Sequence, residues 1–166
     1  MNEAVQRRPL GLVVVLVTVV MLFTAFTVSL LVRRSASDWK QLPKPGGLDL
    51  ATVLLVTASV ALEVSRRSQG RRRETALVAS LVVGVAFLVN QVFVFEKLRL
   101  AGVFLSTGPH ASFIYILTAL HALHVVGGMI ALVVASFRPV HTMACAVYWH
   151  VMLAVWVWLL LLLWVI

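Results

Sequence analysis

The sequence predicts an all-α membrane protein, a bundle of five transmembrane helices, on two observations. Hydrophobic residues make up 61% of the 166-residue chain, and the mean hydropathy is +1.02. These residues form long unbroken runs without the period-two alternation of a half-buried strand, and an open sheet edge does not survive in hydrocarbon. The predicted helices are Gly11–Val32, Leu48–Ser65, Thr75–Phe95, Ser112–Ser136 and Met143–Ile166.

Each run is long enough to cross a bilayer, whose hydrocarbon core of roughly 30 Å needs about 20 helical residues. The shortest, Leu48–Ser65, still falls within the spanning range of about 17–25 residues. We read Gly11–Val32 as a retained signal anchor, because it is too long for the apolar core of a cleaved signal peptide. Since the runs occupy most of the chain, we expect residues 1–166 to form a single membrane domain.

Charged and turn residues separate the runs in order. The first run ends at Arg33 and Arg34, and the loop that follows contains two prolines and two glycines. The second run ends in a short loop with five arginines, and the fourth ends before Arg138. Basic residues collect in the cytoplasmic loops of membrane proteins, so the net charge of +8 does not require a nucleic-acid partner. The arginine-rich loop predicts a multi-pass protein with the N-terminus cytoplasmic and the C-terminus outside.

Small residues at four-residue spacing mark the third and fourth helices. Such spacing lets two backbones approach closely, because packing rather than hydrophobicity joins helices in lipid. We therefore predict that these two helices are tight neighbours. The residues are Ala76, Ser80 and Gly84 on the third helix, and Gly127, Ala131 and Ala135 on the fourth.

Glu63 and His150 are polar residues inside predicted spans, where such groups usually have a function. Counted from the helix ends at 1.5 Å per residue, both lie in the cytoplasmic half of the membrane. One hypothesis pairs them across helices, directly or through one water. The alternative is that Glu63 reaches out to the headgroups and the arginine-rich loop.

His121 and His124 lie at i and i+3 on the fourth helix, one turn after Thr118. In one interpretation His124 and His150 are axial ligands of a b-type haem between the last two helices. In the other, which the spacing favours, the histidines are neutral and hydrogen-bonded, and hold helices together. The sequence has no CxxC, P-loop, nucleophile elbow or paired carboxylates, so it offers no self-sufficient active site. The single Cys145 is interpreted as a small hydrophobic residue.

Several ordered segments resemble subunit III of the haem–copper (cytochrome c) oxidases. LTALHALHVVGG, at 117–128, resembles the family signature T-G-x-H-x-x-H-x-x-x-G, and YWHVMLAVW, at 148–156, is similar to Y-W-H-F-x-D-x-x-W. The likeness runs from about Met21 to the C-terminus and matches the short, five-helix bacterial form. Further matching segments are MLFTAF, LVRRSASDW, FLVNQ and GVFLSTGPHASFIYILT.

The resemblance implies a non-catalytic subunit III of a bacterial aa3/caa3-type cytochrome c oxidase, the O₂-reducing, proton-pumping complex of aerobic respiration. Such a subunit is no enzyme by itself. It holds no metal or other cofactor, because haem and copper belong to the partner catalytic subunit I, with subunit II in the same complex. Its implied roles are assembly, stability and proton uptake, with phospholipid bound between its helix groups. The structural or functional candidates are Glu63, Gln91, Thr118, His121, His124, Tyr148, Trp149, His150 and Trp156.

The chain departs from the family pattern at several positions. Ala119 and Ala122 replace two glycines, Leu153 replaces an aspartate, and Val94 stands where a glutamate is common. Proton relay or polar lipid binding through those two carboxylates is therefore doubtful here. Two alternatives remain open: a subunit-III-like component of a quinol oxidase or nitric oxide reductase, and a small haem b membrane electron carrier.

Overall fold

The computed structural model describes residues 3–37, 39 and 46–165, without the side chains of residues 3–9, 139 and 165. These residues form five α-helices and one 3-10 turn, and no strand occurs among them, which confirms the predicted all-α class. All five α-helices are long and apolar enough to cross a membrane. They are α1 Glu3–Arg34, α2 Leu48–Arg67, α3 Gly70–Leu100, α4 Pro109–Phe137 and α5 Thr142–Val165, with the 3-10 turn at Pro139–His141.

The helices extend beyond the apolar runs, mainly by charged turns. Helix α3 starts five residues before its run and ends five residues after it, so that arginines and Lys97 lie on the helix itself. Arginine, glutamate and lysine are good helix formers, and a continued helix keeps the backbone hydrogen-bonded near the hydrocarbon. Only Ser68 and Gln69 separate α2 from α3. The predicted end of the last helix, Ile166, lies outside the described residues.

Helices α2, α3, α4 and α5 form a closed ring in which each helix contacts the next and α5 returns to α2. Helix α1 lies outside this ring and packs on α4 and α5. The ring interior is filled by large buried side chains, including Leu55, Phe87, Trp149 and Trp156. A second cluster, around Phe23, joins α1 to α4 and α5.

The small residues of α3 and α4 contact other neighbours than predicted. Helices α3 and α4 do touch, through Gly84 and Met129, but α3 packs more extensively on α2. Ser80 Oγ donates a hydrogen bond to the Ala58 carbonyl of α2 at 3.0 Å. The small residues of α4 lie toward α5 instead: Cys145 Sγ donates a hydrogen bond to the Ala131 carbonyl at 3.4 Å. Spacing therefore identified close-approach faces, but not the helices that use them.

Gly47 joins the first loop to α2 at a point that tolerates little bulk. Its φ of 114° lies in the left-handed region, and a Cβ there would come within 3.0 Å of Val94 on α3. Asn90 Nδ2 donates to the Gly47 carbonyl at 3.0 Å. Val94, one of the positions at which the chain departs from the family pattern, therefore serves as a packing residue here.

Two adjacent glycines of α4 provide a matched test of ring packing. A Cβ on buried Gly128 would lie 3.0 Å from the Tyr148 ring and 3.2 Å from Trp149, whereas one on exposed Gly127 meets only the Tyr148 hydroxyl at 3.9 Å. We expect Gly128→Val to lower the free energy of unfolding by about 1–3 kcal/mol through overpacking. Thermal unfolding in detergent checks this, with Gly127→Val as the control; equal melting temperatures for the two variants would contradict the packing.

Candidate functional site

Ser59, Glu63 and His150 meet near one end of the bundle, where α2 packs on α5. Ser59 Oγ and His150 Nδ1 share a hydrogen bond of 2.6 Å, whose donor depends on the imidazole tautomer. His150 Nε2 lies 3.8 Å from Glu63 Oε2. We call Ser59, Glu63 and His150, with Arg66 and Arg67, the polar cluster.

Glu63 is held mainly by the two arginines that follow it on α2. Arg66 Nε donates to Oε2 at 2.8 Å and its Nη2 donates to Oε1 at 2.6 Å, a bidentate pair. Arg67 Nε donates to Oε1 at 2.5 Å. Each interpretation of Glu63 therefore holds in part: the carboxylate is bound by the arginines, and its Oε2 lies beside His150. Contact of Glu63 with the lipid headgroups stays a prediction.

The polar cluster lies within the span. His150 is eight residues into α5, or about 12 Å from its start, and Glu63 is four residues before the end of α2, or about 6 Å. The His150 side chain is 46% exposed and that of Glu63 25%, so the cluster is open to the outside of the bundle. The Ser59 hydroxyl, the His150 imidazole and the Glu63 carboxylate form a row of neighbouring groups. Groups of these types can accept a proton, hold it and pass it to the next oxygen or nitrogen.

Sequence reasoning missed two residues of this end of the bundle, Ser59 and Arg73. Ser59 precedes Glu63 by four residues, so helical spacing alone places both on one face. Arg73 Nη2 donates to the Ala135 carbonyl at 2.9 Å and to Thr142 Oγ1 at 3.1 Å. It thereby ties the start of α3 to the end of α4 and the start of α5; no spacing signal in the sequence distinguishes it from its neighbouring arginines.

His121 lies in the centre of the bundle and is fully buried. Its ring contacts three aromatic rings from three other helices, with centroid distances of 6.2 Å to Phe23, 5.8 Å to Phe87 and 5.2 Å to Trp156. Among the described residues, neither ring nitrogen has a hydrogen-bond partner. The prediction that the membrane histidines are hydrogen-bonded is therefore wrong for His121 within this chain, because aromatic side chains surround it.

His124 follows the prediction. Its Nδ1 donates to the Leu120 carbonyl at 2.7 Å, and its ring contacts Phe23 of α1 at 5.6 Å. Tyr148 of α5 donates its hydroxyl to the His124 carbonyl at 2.9 Å. His124 thus faces α1 while His150 faces Ser59 of α2, so a haem between these two imidazoles would require both to give up their present contacts.

The remaining candidates are packing residues in the described structure. Trp149 is buried against Gly84 and Gly128, and Trp156 donates its indole N–H to Thr52 Oγ1 at 3.1 Å. Thr118 Oγ1 donates to the carbonyl one turn earlier, Ile114, at 2.6 Å. Gln91 is buried, and its amide has no partner among the described residues. Within the described part of the chain, no three His, Cys, Asp or Glu side chains are close enough to hold a metal ion.

We expect Glu63→Gln to change the ¹⁵N signals of the His150 imidazole, because the substitution removes the negative charge beside Nε2. Solid-state NMR of histidine-labelled protein in bilayers measures this. Glu96→Gln is the matched control, since Glu96 pairs with Arg99 at the opposite end of the bundle. Unchanged His150 signals in Glu63→Gln would rule out the pairing.

His121 offers a test of packing against hydrogen bonding. We expect the free energy of unfolding of His121→Leu to lie within about 1.5 kcal/mol of that of the parent. Leucine keeps the side-chain volume and removes the unpaired polar atoms. His121→Ala should lower the free energy of unfolding by about 2–4 kcal/mol, because it opens a cavity in the packed interior. Chemical or thermal unfolding in detergent compares the two variants. An equally large loss of unfolding free energy in both would contradict a packing role.

Comparisons with known proteins agree with the resemblance in the sequence. No protein-family model matches the chain. It is 28% identical to the probable cytochrome c oxidase subunit 3 of Nocardia farcinica, over 89% of this chain and 82% of that protein. It is 30% identical to cytochrome c oxidase subunit 3 of Corynebacterium diphtheriae, over 72% and 67%. The subunit 3 of Cyanidium caldarium is 31% identical, over 66% of this chain and 45% of its own length.

The Corynebacterium match reaches 30% identity over two thirds of the relative, and the Nocardia match extends along most of both proteins. Five membrane-spanning helices fit such a protein. The chain belongs to the cytochrome c oxidase subunit 3 family.

Proposed function

We propose that this chain is the non-catalytic subunit III of a bacterial aa3/caa3-type cytochrome c oxidase, and that it supports assembly, stability and proton uptake. The observation that carries the proposal is the match to the Nocardia subunit 3 along 89% of the chain. Its partners would be the catalytic subunit I, which holds haem and copper, and subunit II.

The contacts of the signature residues support a role in packing. Trp149 and Tyr148 press against Gly128, Trp156 bonds to Thr52, and His121 lies among aromatic rings. These side chains pack or form hydrogen bonds between helices of this chain. A rigid membrane bundle of this kind is suited to bracing a neighbouring catalytic subunit.

The polar cluster supports the proposed part in proton uptake. Its carboxylate, imidazole and hydroxyl are within hydrogen-bonding range or close to it, and they open to the outside of the bundle. Two positions that carry carboxylates in the family pattern, Val94 and Leu153, pack in the apolar core here. We therefore assign the proposed proton uptake to Glu63 and His150 rather than to those two positions.

A groove between α1 and the α4–α5 pair supports the proposed phospholipid binding. The cavity there measures about 560 Å³ and is lined mainly by small and apolar side chains from all three helices, with His141 and Tyr148 also in its lining. A mostly apolar groove of this kind is suited to one acyl chain between α1 and the ring. The lining residues include Leu12, Val15, Ala131 and Cys145.

The charges at the helix ends support an orientation in the bacterial plasma membrane. Six arginines lie at one end of the bundle: five at the α2–α3 turn, and Arg138 at the end of α4. That end would face the cytoplasm, with the N-terminus cytoplasmic and the C-terminus outside.

Purification of the tagged chain from native membranes under mild detergent tests the proposal. We expect it to bring down a multi-helix subunit with haem and copper and a second subunit with a copper centre, with cytochrome c-dependent O₂ uptake. Recovery of a quinol oxidase or a nitric oxide reductase instead would favour those relatives of the complex. Recovery of the chain with bound haem b and no catalytic partner would overturn the proposal.

A further inference from the structure

The turn between α2 and α3 carries an uneven set of charges. Residues 63–74 contain five arginines and only two glutamates. Because α2 ends at Arg67 and α3 begins at Gly70, the turn lies where two membrane-spanning helices leave the bilayer. Its guanidinium groups are therefore at the level of the lipid headgroups.

The five arginines have different partners. Arg73 is held by Ala135 and Thr142, and Arg66 and Arg67 share the single carboxylate of Glu63. The guanidinium groups of Arg71 and Arg72 have no hydrogen bond or ion pair within the described part of the chain, and both residues are exposed. Glu74, also exposed, forms no ion pair with them there. The turn thus keeps unneutralised positive charge facing outward.

We propose that Arg71 and Arg72, flanked by Arg66 and Arg67, form a binding site for the headgroup of an anionic phospholipid; we call these four residues the arginine patch. A guanidinium binds a phosphate through two parallel hydrogen bonds, and basic residues just outside a membrane span attract anionic lipid. The site is distinct from the groove beside α1, because no residue of α2, α3 or the turn between them is among those that line the groove.

Position favours a lipid over an acidic protein segment. The arginine patch lies at the end of two spans, where lipid phosphates are present at high local concentration. Lipid binding there requires no other subunit, so the test uses this chain alone.

The test is native mass spectrometry of the full-length chain in detergent, titrated with phosphatidylglycerol and with phosphatidylcholine of the same acyl chains. We expect the parent to prefer phosphatidylglycerol. Arg71→Gln with Arg72→Gln should lower that affinity about thirtyfold, since each surface arginine is worth about a fivefold change. Arg34→Gln with Arg99→Gln is the matched control, because it removes two exposed arginines at the opposite end.

Equal affinity for the two lipids in the parent, or equal loss in the two double variants, would overturn the site. If the first double variant does not fold, the single change Arg72→Gln should still lower the affinity about fivefold, and Arg72→Lys should retain most of it. If the Gln variants lose a partner protein in native membranes but keep phosphatidylglycerol binding, the arginine patch binds an acidic protein segment and the lipid proposal is wrong.

Discussion

Helix association in lipid receives little help from the hydrophobic effect, so this bundle depends on close packing and on hydrogen bonds between helices. Among the described residues, helix α5 takes part in most of the side-chain hydrogen bonds between helices, whereas the most extensive packing joins α2 to α3. Trp149 fits against Gly84 of α3 and Gly128 of α4, while Trp156 bonds to Thr52 of α2. Helix α5 also contacts α1, which packs on α4 as well.

The distribution of polar groups follows from the same constraint. Deep in the bundle, the imidazole of His121 is enclosed by aromatic rings, and Val94 fills the space beside Gly47. The ionised groups lie toward the two ends: Glu96 pairs with Arg99 at one end, and Glu63 is neutralised by neighbouring arginines at the other. An ionised carboxylate is costly in hydrocarbon, and its placement within a turn of the arginines limits that cost.

Much of this architecture follows from the sequence. The five apolar runs predict the five spans, because a continuous helix is the simplest way to satisfy a backbone in lipid. Helical counting also placed Glu63 and His150 at similar depth. It could not show that Ser80 contacts α2, or that His121 has no hydrogen-bond partner among the described residues, since both depend on which helices are adjacent. The role of Arg73 likewise appears only once the ends of α4 and α5 are placed beside it.

In the proposed function, this chain is a subunit without a redox centre, and its membrane histidines serve in packing and in the polar cluster. The visible absorption spectrum of the chain, purified free of its partner subunits, tests this most directly. It should contain no Soret band before or after reduction with dithionite. A Soret band that stays with the chain and disappears in His124→Ala or His150→Ala would contradict the account and establish a haem ligand in this bundle.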